Sequence, residues 1–316
     1  MLQLLTTYYE LPTARAFAYS PLPVIDSRDM VTAVTQDIKT LFEAGAHFGY
    51  SRTRRHPTAA PFIFGTKDRN DIFDLEETQR RLESACVFAG GIAGGAAAVP
   101  ASEHKAQSGL PARAGEKAVG RAPQLLFVGG KNEAVDIIKE VAVRIGAPYV
   151  AGRWIGGSLT NFKNIRKRID RLEKLMSERD SGELEKYTKK ERLLIDREIT
   201  ELLARFGGLV KMLELPAALF IVDTRREETA VREANQLGIP VIGLSSSDCD
   251  FSMVQYPVPA NDTSVRSIRL VAETIAEAYE KGKTAPQEKS DLPAEASAQA
   301  GIRNSKSETN GLKISK

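Results

Sequence analysis

The chain has 316 residues, 42% of them hydrophobic, and a formal net charge of +3. That length is enough for one large domain or two smaller ones with sizeable cores. The mild net charge does not indicate a nucleic-acid partner. Any evidence for nucleic-acid binding must therefore come from local clusters of basic residues. Cys86 and Cys249 lie far apart without a C-x-x-C spacing, which argues against a disulfide framework or a metal knuckle and favours a reduced, cytoplasmic setting. No apolar run reaches the roughly 18 residues of a membrane span, so we expect no membrane partner.

The N-terminal part of the chain changes character near residue 27. Residues 1–26 contain three prolines and no sustained period, and we interpret them as an irregular arm. A helix is predicted from Ser27, a candidate N-cap, to Gly45, a candidate stop, because apolar residues recur at helical spacing between them. Those residues are Met30, Val34, Ile38 and Leu41.

The next segment contains short strands, one helix and a break. The stretch FIFGTKDRNDIFDL (62–75) predicts two strands around a polar turn, followed by a helix from about Glu76 to Ala89. Residues 94–123 are rich in Gly, Ala and Pro without a period, which predicts a flexible insertion. The polar, aperiodic residues 284–316 are predicted to form a disordered tail.

The chain between these segments alternates strands and helices. Continuous apolar runs typical of buried strands occur at 124–130, 218–223 and 239–244, and the stretch APYV begins another strand at residue 147. Helical stripes follow these runs, the last of them from Val265 to Tyr279. This pattern predicts an α/β fold with an open parallel sheet and helices on both faces.

Two seams of apolar residues at heptad spacing interrupt this alternation. Gly182 is a stop signal between them, and Thr188 with Glu191 forms a capping box at the start of the second. We therefore predict an antiparallel coiled-coil hairpin at 160–211 that projects from an α/β domain of residues 27–283. The seams are Phe162, Ile165, Ile169, Leu172 and Met176, and then Ile195, Ile199, Leu202, Phe206 and Leu209.

Two glycine turns raise a nucleotide-binding alternative. Gly156 and Gly157 precede a helix and could cradle a phosphate, and the stretch FVGGKNEA places Lys131 after a strand. A P-loop, however, needs an earlier glycine and a hydroxyl residue after the lysine, where this chain has Asn132. Tight turns are the better interpretation, so we expect no cofactor and no small-molecule substrate.

Catalytic chemistry has little support in the sequence. Asp223, Asp248 and Asp250 follow strands, where an α/β enzyme keeps acids or metal ligands. The three histidines are scattered over a helix exit, a basic loop and the insertion, so no set of nucleophile, base and acid can be assembled. We expect no catalytic residues, no metal and no enzymatic activity, and His47 is interpreted as a structural residue.

Basic residues at the start of the first heptad arm are the strongest functional signal. Only Asp170 and Glu173 interrupt them, whereas charges of both signs alternate on the second arm, as on an ordinary solvated helix face. Because these positions fall off the seam, we predict that they point outward and contact RNA phosphates. They are Lys163, Arg166, Lys167, Arg168, Arg171 and Lys174.

A second basic cluster lies in the stretch YSRTRRHP. Its arginines are interleaved with Tyr50 and His56, a mixture suited to phosphate contacts and base stacking. Arg153 and Trp154 are predicted to contribute similarly, with packing as the alternative for the lone tryptophan. The arginines of the cluster are Arg52, Arg54 and Arg55.

Several motifs together resemble the bacterial small-subunit ribosomal protein S2 family. They are GAHFGY, PFIFG, FVGGK, RWIGGSLTNFK, LPAALFIVD, EANQLGIPVIG and VPANDTSVRSIRL, in the family's order and spacing over about residues 29–281. The resemblance implies a flavodoxin-like sheet with a protruding coiled-coil hairpin, bound to small-subunit ribosomal RNA beside neighbouring ribosomal proteins. It implies no catalytic residues.

The chain departs from the family pattern at three places. Family members usually have a second histidine where this chain has Tyr50, W-N-P where it has RHP, and D-T-N-x-D-P where it has SSSDCDF at 245–251. The competing hypothesis is a flavodoxin-like enzyme or nucleotide-binding protein, which requires a preformed ligand pocket at the carboxyl ends of the strands.

Overall fold

The structure, a computed structural model, describes residues 37–94 and 122–284. The predicted arm, nearly all of the predicted insertion and tail, and the helix positions Ser27, Met30 and Val34 lie outside these residues. Within them, helix α1 spans Ile38–Glu43, and Gly45 follows it with a φ of 72°. Glycine adopts this left-handed conformation at no steric cost, so the predicted stop at this position is confirmed.

Five parallel strands form the main sheet, in the order β5-β4-β6-β7-β8. Counted from its first strand, this is the order 2-1-3-4-5 of flavodoxin-like folds, and the predicted fold class is confirmed. The strands are β4 (Ala122–Gly129), β5 (Tyr149–Ala151), β6 (Pro216–Val222), β7 (Val241–Ser245) and β8 (Tyr256–Pro259).

Helices cover both faces of this sheet. In β4, Leu125 and Phe127 join the core under one set of helices, whereas Leu126 and Val128 join the core under the other. This alternation is that of a strand buried on both faces, which explains why its sequence is continuously apolar. The first set is α2 (Leu75–Ala93), α3 (Asn132–Ile145) and α7 (Val265–Thr284), and the second is α4 (Phe162–Asp180), α5 (Lys189–Phe206) and α6 (Glu228–Gln236).

Helix α2 extends four residues beyond its predicted end. The reason is its close packing on α7, where a Cβ added to Gly282 would lie 2.1 Å from the carbonyl oxygen of Gly90. Only glycine permits this approach, so Gly282 acts as a packing residue against α2. Strand β4 likewise begins at Ala122, two residues inside the predicted insertion.

A three-stranded antiparallel sheet lies N-terminal to α2, in the order β1-β3-β2. Strands β2 (Ile63–Lys67) and β3 (Asn70–Phe73) confirm the predicted pair, whereas β1 (Phe48–Ser51) was not predicted. Phe62 and Phe73 pack with Cys249 and Phe251, which follow β7. The small sheet is thereby anchored at the carboxyl edge of the large one.

Strand β8 was also missed by sequence reasoning. Its four residues include Pro257 and Pro259, which lack the N–H groups that a central strand donates. The strand lies at the edge of the sheet and pairs only with β7, a position that tolerates proline.

Helices α4 and α5 pair in antiparallel fashion. Near their connection, Leu172 and Leu175 pack against Ile199, whereas Ile165 and Phe206 at the other end join the core of the main sheet. Leu175 is buried more fully than the predicted seam residue Met176, as expected when a helix of 3.6 residues per turn drifts from a 3.5-residue repeat. The capping box at Thr188 is confirmed. Supercoiling of the pair, its projection from the domain and the proposed domain boundaries remain predictions.

Candidate nucleic-acid interface

The first turns of α4 carry exposed cations without carboxylate partners. Lys163, Lys167 and Arg168 are exposed, and none of them forms a salt bridge within residues 37–94 and 122–284. The first turn of α4 contains no acidic residue, and the positive end of the helix dipole adds to its charge. These three side chains therefore present unneutralised charge to solvent, which is what phosphate contact requires.

Arg166, predicted to point outward with them, is folded against the protein. Its side chain is 20% exposed and donates to the carbonyl oxygens of Val210 (3.1 Å) and Met212 (3.4 Å). It also bonds Asp170 and Glu173 at 2.7 and 2.8 Å. The outward orientation predicted for this residue is wrong, because its off-seam position faces the segment that follows α5.

The remaining two predicted cations of α4 have exposed partners. Arg171 donates to Glu198 of α5 at 3.2 and 3.3 Å, and this hydrogen bond raises the pKa of the guanidinium. Lys174 lies 3.7 Å from Glu178 one turn later. Exposed pairs of this kind are weak, but they lower the charge left for a ligand.

The three arginines of the YSRTRRHP stretch have different environments. Arg52 is exposed, and Arg54, 53% exposed, donates to the buried carboxylate of Asp248 at 3.0 Å. Arg55 is locked to Asp71, whose side chain is fully buried, with one bond of 2.8 Å from Nε, and this hydrogen bond raises the pKa of Arg55. Arg55 thus neutralises a buried carboxylate beside the small sheet and leaves Arg52 and Arg54 for a partner.

The Gly156–Gly157 turn encloses a carboxylate of the protein itself. Glu233 of α6 accepts hydrogen bonds from the amides of Gly157 (2.7 Å), Leu159 (3.0 Å) and Thr160 (3.2 Å). It also accepts one from Trp154 Nε1 at 3.2 Å. The cradle that could have held a phosphate is therefore filled by Glu233.

This arrangement determines the chemistry of Glu233 and the position of Trp154. Burial alone raises the pKa of Glu233, but the amide hydrogen bonds outweigh it and hold the pKa below its ordinary value. Trp154 is only 7% exposed and belongs to the core under α4, in agreement with the alternative interpretation that this tryptophan is a packing residue. Its neighbour Arg153 is exposed.

A buried ion network lies at the carboxyl edge of the main sheet. Lys131 Nζ is 3.3 Å from Asp262, 3.4 Å from Asp223 and 3.1 Å from the hydroxyl of Tyr50. Burial alone lowers the pKa of Lys131, but the two carboxylates and Tyr50 raise it above its ordinary value. The ammonium is therefore charged at neutral pH and serves as the internal counter-ion of the two acids.

The network occupies the point at which flavodoxin-like sheets bind ligands. The strand order reverses between β4 and β6, and Lys131 follows β4 while Asp223 follows β6. Glu227 fills the same crevice, because a Cβ added to Gly130 would lie 2.2 Å from its Oε1. Burial raises the pKa of Glu227 to about 7. The crevice is thus packed with the protein's own side chains.

One cluster at this edge bears on metal binding. The ligand atoms of Asp223, Cys249 and Asp262 lie within 4.8 Å of one another. Lys131 already supplies positive charge to both carboxylates, and burial raises the pKa of Cys249 to about 12, which keeps the thiol protonated. The set is therefore better described as an ion network than as a metal centre.

Sequence reasoning did not predict two internal contacts of charged residues, the amide hydrogen bonds of Glu233 and the ion pairs of Lys131. Glu233 lies in an ordinary amphipathic helix, and nothing local shows that it faces amides some 75 residues earlier. The only local signal at Lys131 is an incomplete P-loop pattern, which does not predict its buried carboxylate partners. His47, interpreted as structural, stacks on the ring of Phe42 at 4.5 Å and contacts the tilted ring of Phe48 at 4.0 Å between centroids. None of the described helices is long and apolar enough to cross a membrane.

Comparison with protein families matches the chain to the family described as "Ribosomal protein S2". The match covers residues 41–102 and 112–282. These ranges include both sheets, the ion network and the α4–α5 hairpin.

Individual relatives extend over most of the chain. A protein of Coprothermobacter proteolyticus is 38% identical over 250 residues, covering 79% of this chain and 84% of its own. One from Dictyoglomus thermophilum is 39% identical over 255 residues, covering 81% and 93%. One from Roseiflexus sp. is 39% identical over 246 residues, covering 78% and 84%. All three are named small ribosomal subunit protein uS2.

Proposed function

The chain belongs to the ribosomal protein S2 family, and on this premise we propose that it is a structural component of the small ribosomal subunit that binds ribosomal RNA. It contributes binding and not turnover. Its partners are small-subunit ribosomal RNA and neighbouring ribosomal proteins, and its location is the cytoplasm, where small subunits operate.

The exposed cations at the start of α4 carry the proposal for RNA contact. Lys163, Lys167 and Arg168 have no carboxylate partner among the described residues, whereas a solvated helix face normally balances its charges. Each phosphate that they neutralise releases condensed counterions and so favours binding. Arg52 and Arg153 are exposed and are further candidates for phosphate contact, while Arg55, Trp154 and Arg166 are held by partners within the protein.

The competing nucleotide-binding function loses its two candidate sites. Glu233 occupies the amide cradle at Gly157, and Lys131 with Glu227 fills the crevice at the switch point. A nucleotide phosphate at either place would have to displace a buried, hydrogen-bonded side chain of the protein, which is unfavourable.

Sedimentation tests the proposal directly. Purified chain mixed with small ribosomal subunits lacking it is expected to move with them through a sucrose gradient and to be released as salt rises. Large subunits serve as the control and should carry little of it. Protein that stays at the top of both gradients, together with saturable binding of a nucleotide, would contradict the proposal.

A further inference from the structure

Two arginines that are far apart in sequence share one buried carboxylate. Arg54 Nη2 and Arg225 Nη1 lie 3.0 and 2.8 Å from the same oxygen, Asp248 Oδ2. The Asp248 side chain is 4% exposed, whereas those of Arg54 and Arg225 are 53% and 56% exposed. Each guanidinium is thus held on its inner side and open to solvent on its outer side.

The charge of this group is not balanced. One carboxylate faces two guanidiniums, and neither arginine has a second carboxylate partner in the part of the chain that the structure describes. Among the nearby acids, Asp223 and Asp262 are buried around Lys131, whereas Asp250 is 40% exposed and accepts hydrogen bonds from Thr58 and Ser252. The exposed charges of the Arg54–Arg225–Asp248 group itself are therefore positive, above one buried carboxylate.

The pair is also held in position. The Arg54 guanidinium lies 4.4 Å above the ring of Tyr50, and the Tyr50 amide donates to Ser247 Oγ at 2.9 Å. Arg225 lies three residues beyond the end of β6, and Asp248 lies three residues beyond the end of β7. Both arginines are therefore fixed to rigid parts of the sheet edge, so less side-chain entropy is lost when they bind.

We infer that Arg54 and Arg225, aligned by Asp248, form a phosphate clamp that grips the backbone of ribosomal RNA at the carboxyl edge of the sheet. The inference rests on the proposed function. Planar guanidiniums recognise phosphate oxygens through paired N–H donors, and two of them held side by side match one phosphate or two successive ones. Arg54 and Arg225 thus act together with α4, as a second contact region on the same RNA.

A charge-matched set of variants tests the clamp. The triple variant Arg54→Gln, Arg225→Gln and Asp248→Asn removes the pair together with its buried counter-charge, so no unpaired carboxylate remains to unfold the protein. Its net charge falls by one. Arg232→Gln is the control with the same net change, because Arg232 is an exposed arginine of α6 paired locally with Glu228.

The measurement is the affinity of each full-length variant for small subunits lacking this protein, across a salt series. The triple variant is expected to flatten the slope of log affinity against log salt by roughly 0.7 to 0.9 if the clamp holds one phosphate and by roughly 1.4 to 1.8 if it holds two, whereas Arg232→Gln should leave the slope nearly unchanged. Equal slopes for the two variants would overturn the clamp. Weaker binding with an unchanged slope would also overturn it, by placing this surface against a protein. In either case, wild-type binding to subunits would leave the proposed function standing.

Discussion

The carboxyl edge of the sheet and the α4 arm both look basic and glycine-rich in sequence, but they use their charges in opposite ways. Lys131 follows two glycines and turns inward to Asp223 and Asp262, whereas Lys163 and Lys167 follow Gly156 and Gly157 and stay exposed. The difference lies in whether the fold brings a buried carboxylate within salt-bridge distance of the lysine. Cations that follow a glycine turn are therefore left for an external phosphate only where no internal carboxylate pairs with the cations themselves, even where the amides of the turn are bound by an internal acid, as Glu233 binds that of Gly157.

Removing the inward lysine should have the largest effect on stability. Lys131→Met leaves Asp223 and Asp262 buried side by side without their counter-ion, and losing one partner of a buried charge group costs about 3–5 kcal/mol. Urea unfolding of the purified chain at pH 7 measures it. Lys167→Met on the exposed face is the control and should stay within about 0.5 kcal/mol of wild type. A loss below about 1 kcal/mol for Lys131→Met would show that the two regions do not differ as described.

Replacing Glu233 should cause the second-largest loss in the free energy of unfolding. Glu233→Ala removes the acceptor for Trp154 and for three backbone amides, so we expect a loss of about 2–3 kcal/mol at pH 7. The folded pKa of Glu233 is depressed, so its contribution is fully present above the unfolded value of about 4.3 and is lost as pH falls through the folded value. The gap between wild type and the variant should accordingly narrow in unfolding experiments below pH 4. A gap that is constant with pH would mean that the ionised carboxylate is not the stabilising form.

Replacing Glu227 should change the free energy of unfolding less, and should stabilise the protein rather than destabilise it. Its folded pKa is raised to about 7, so wild-type stability should fall as pH rises from about 4.3 through 7, because the folded state gives up this proton less readily. Glu227→Gln keeps an acceptor but cannot ionise, and should be about 1–3 kcal/mol more stable than wild type at pH 8 and nearly equal to it at pH 4. Unfolding curves at the two pH values decide this, and a variant less stable at pH 8 would contradict it.

The sequence predicted the periodic parts of the molecule well and the long-range contacts poorly. The buried strands, the paired helices and the capping box at Thr188 all leave local patterns, and the structure contains them. Strand β8 was hidden by its prolines, and the end of α2 by a glycine that packs on another helix. Such features depend on neighbours far along the chain, which no local window of sequence contains.

The same contrast between local patterns and long-range contacts applies to the candidate site. Clustering of basic residues predicted a candidate surface, and Lys163, Lys167 and Arg168 are exposed as expected. Arg55, Arg166 and Trp154 are held by Asp71, by carbonyl groups and by Glu233 respectively, and these partners become visible only when the chain is folded. Composition identifies a basic patch, and tertiary contacts determine which of its members are left for a ligand.

The central claim concerns α4: its unpaired cations, and not all of its basic residues, bind ribosomal RNA. The most direct measurement is the salt dependence of binding to small subunits lacking this protein, for two double variants on the same helix with equal charge change. Lys163→Gln with Lys167→Gln should flatten the slope of log affinity against log salt by roughly 1.4 to 1.8. Arg171→Gln with Lys174→Gln, whose charges already face Glu198 and Glu178, should stay close to wild type, with circular dichroism unchanged for both. Wild-type slopes for the first pair, or equal losses for the two pairs, would contradict the claim.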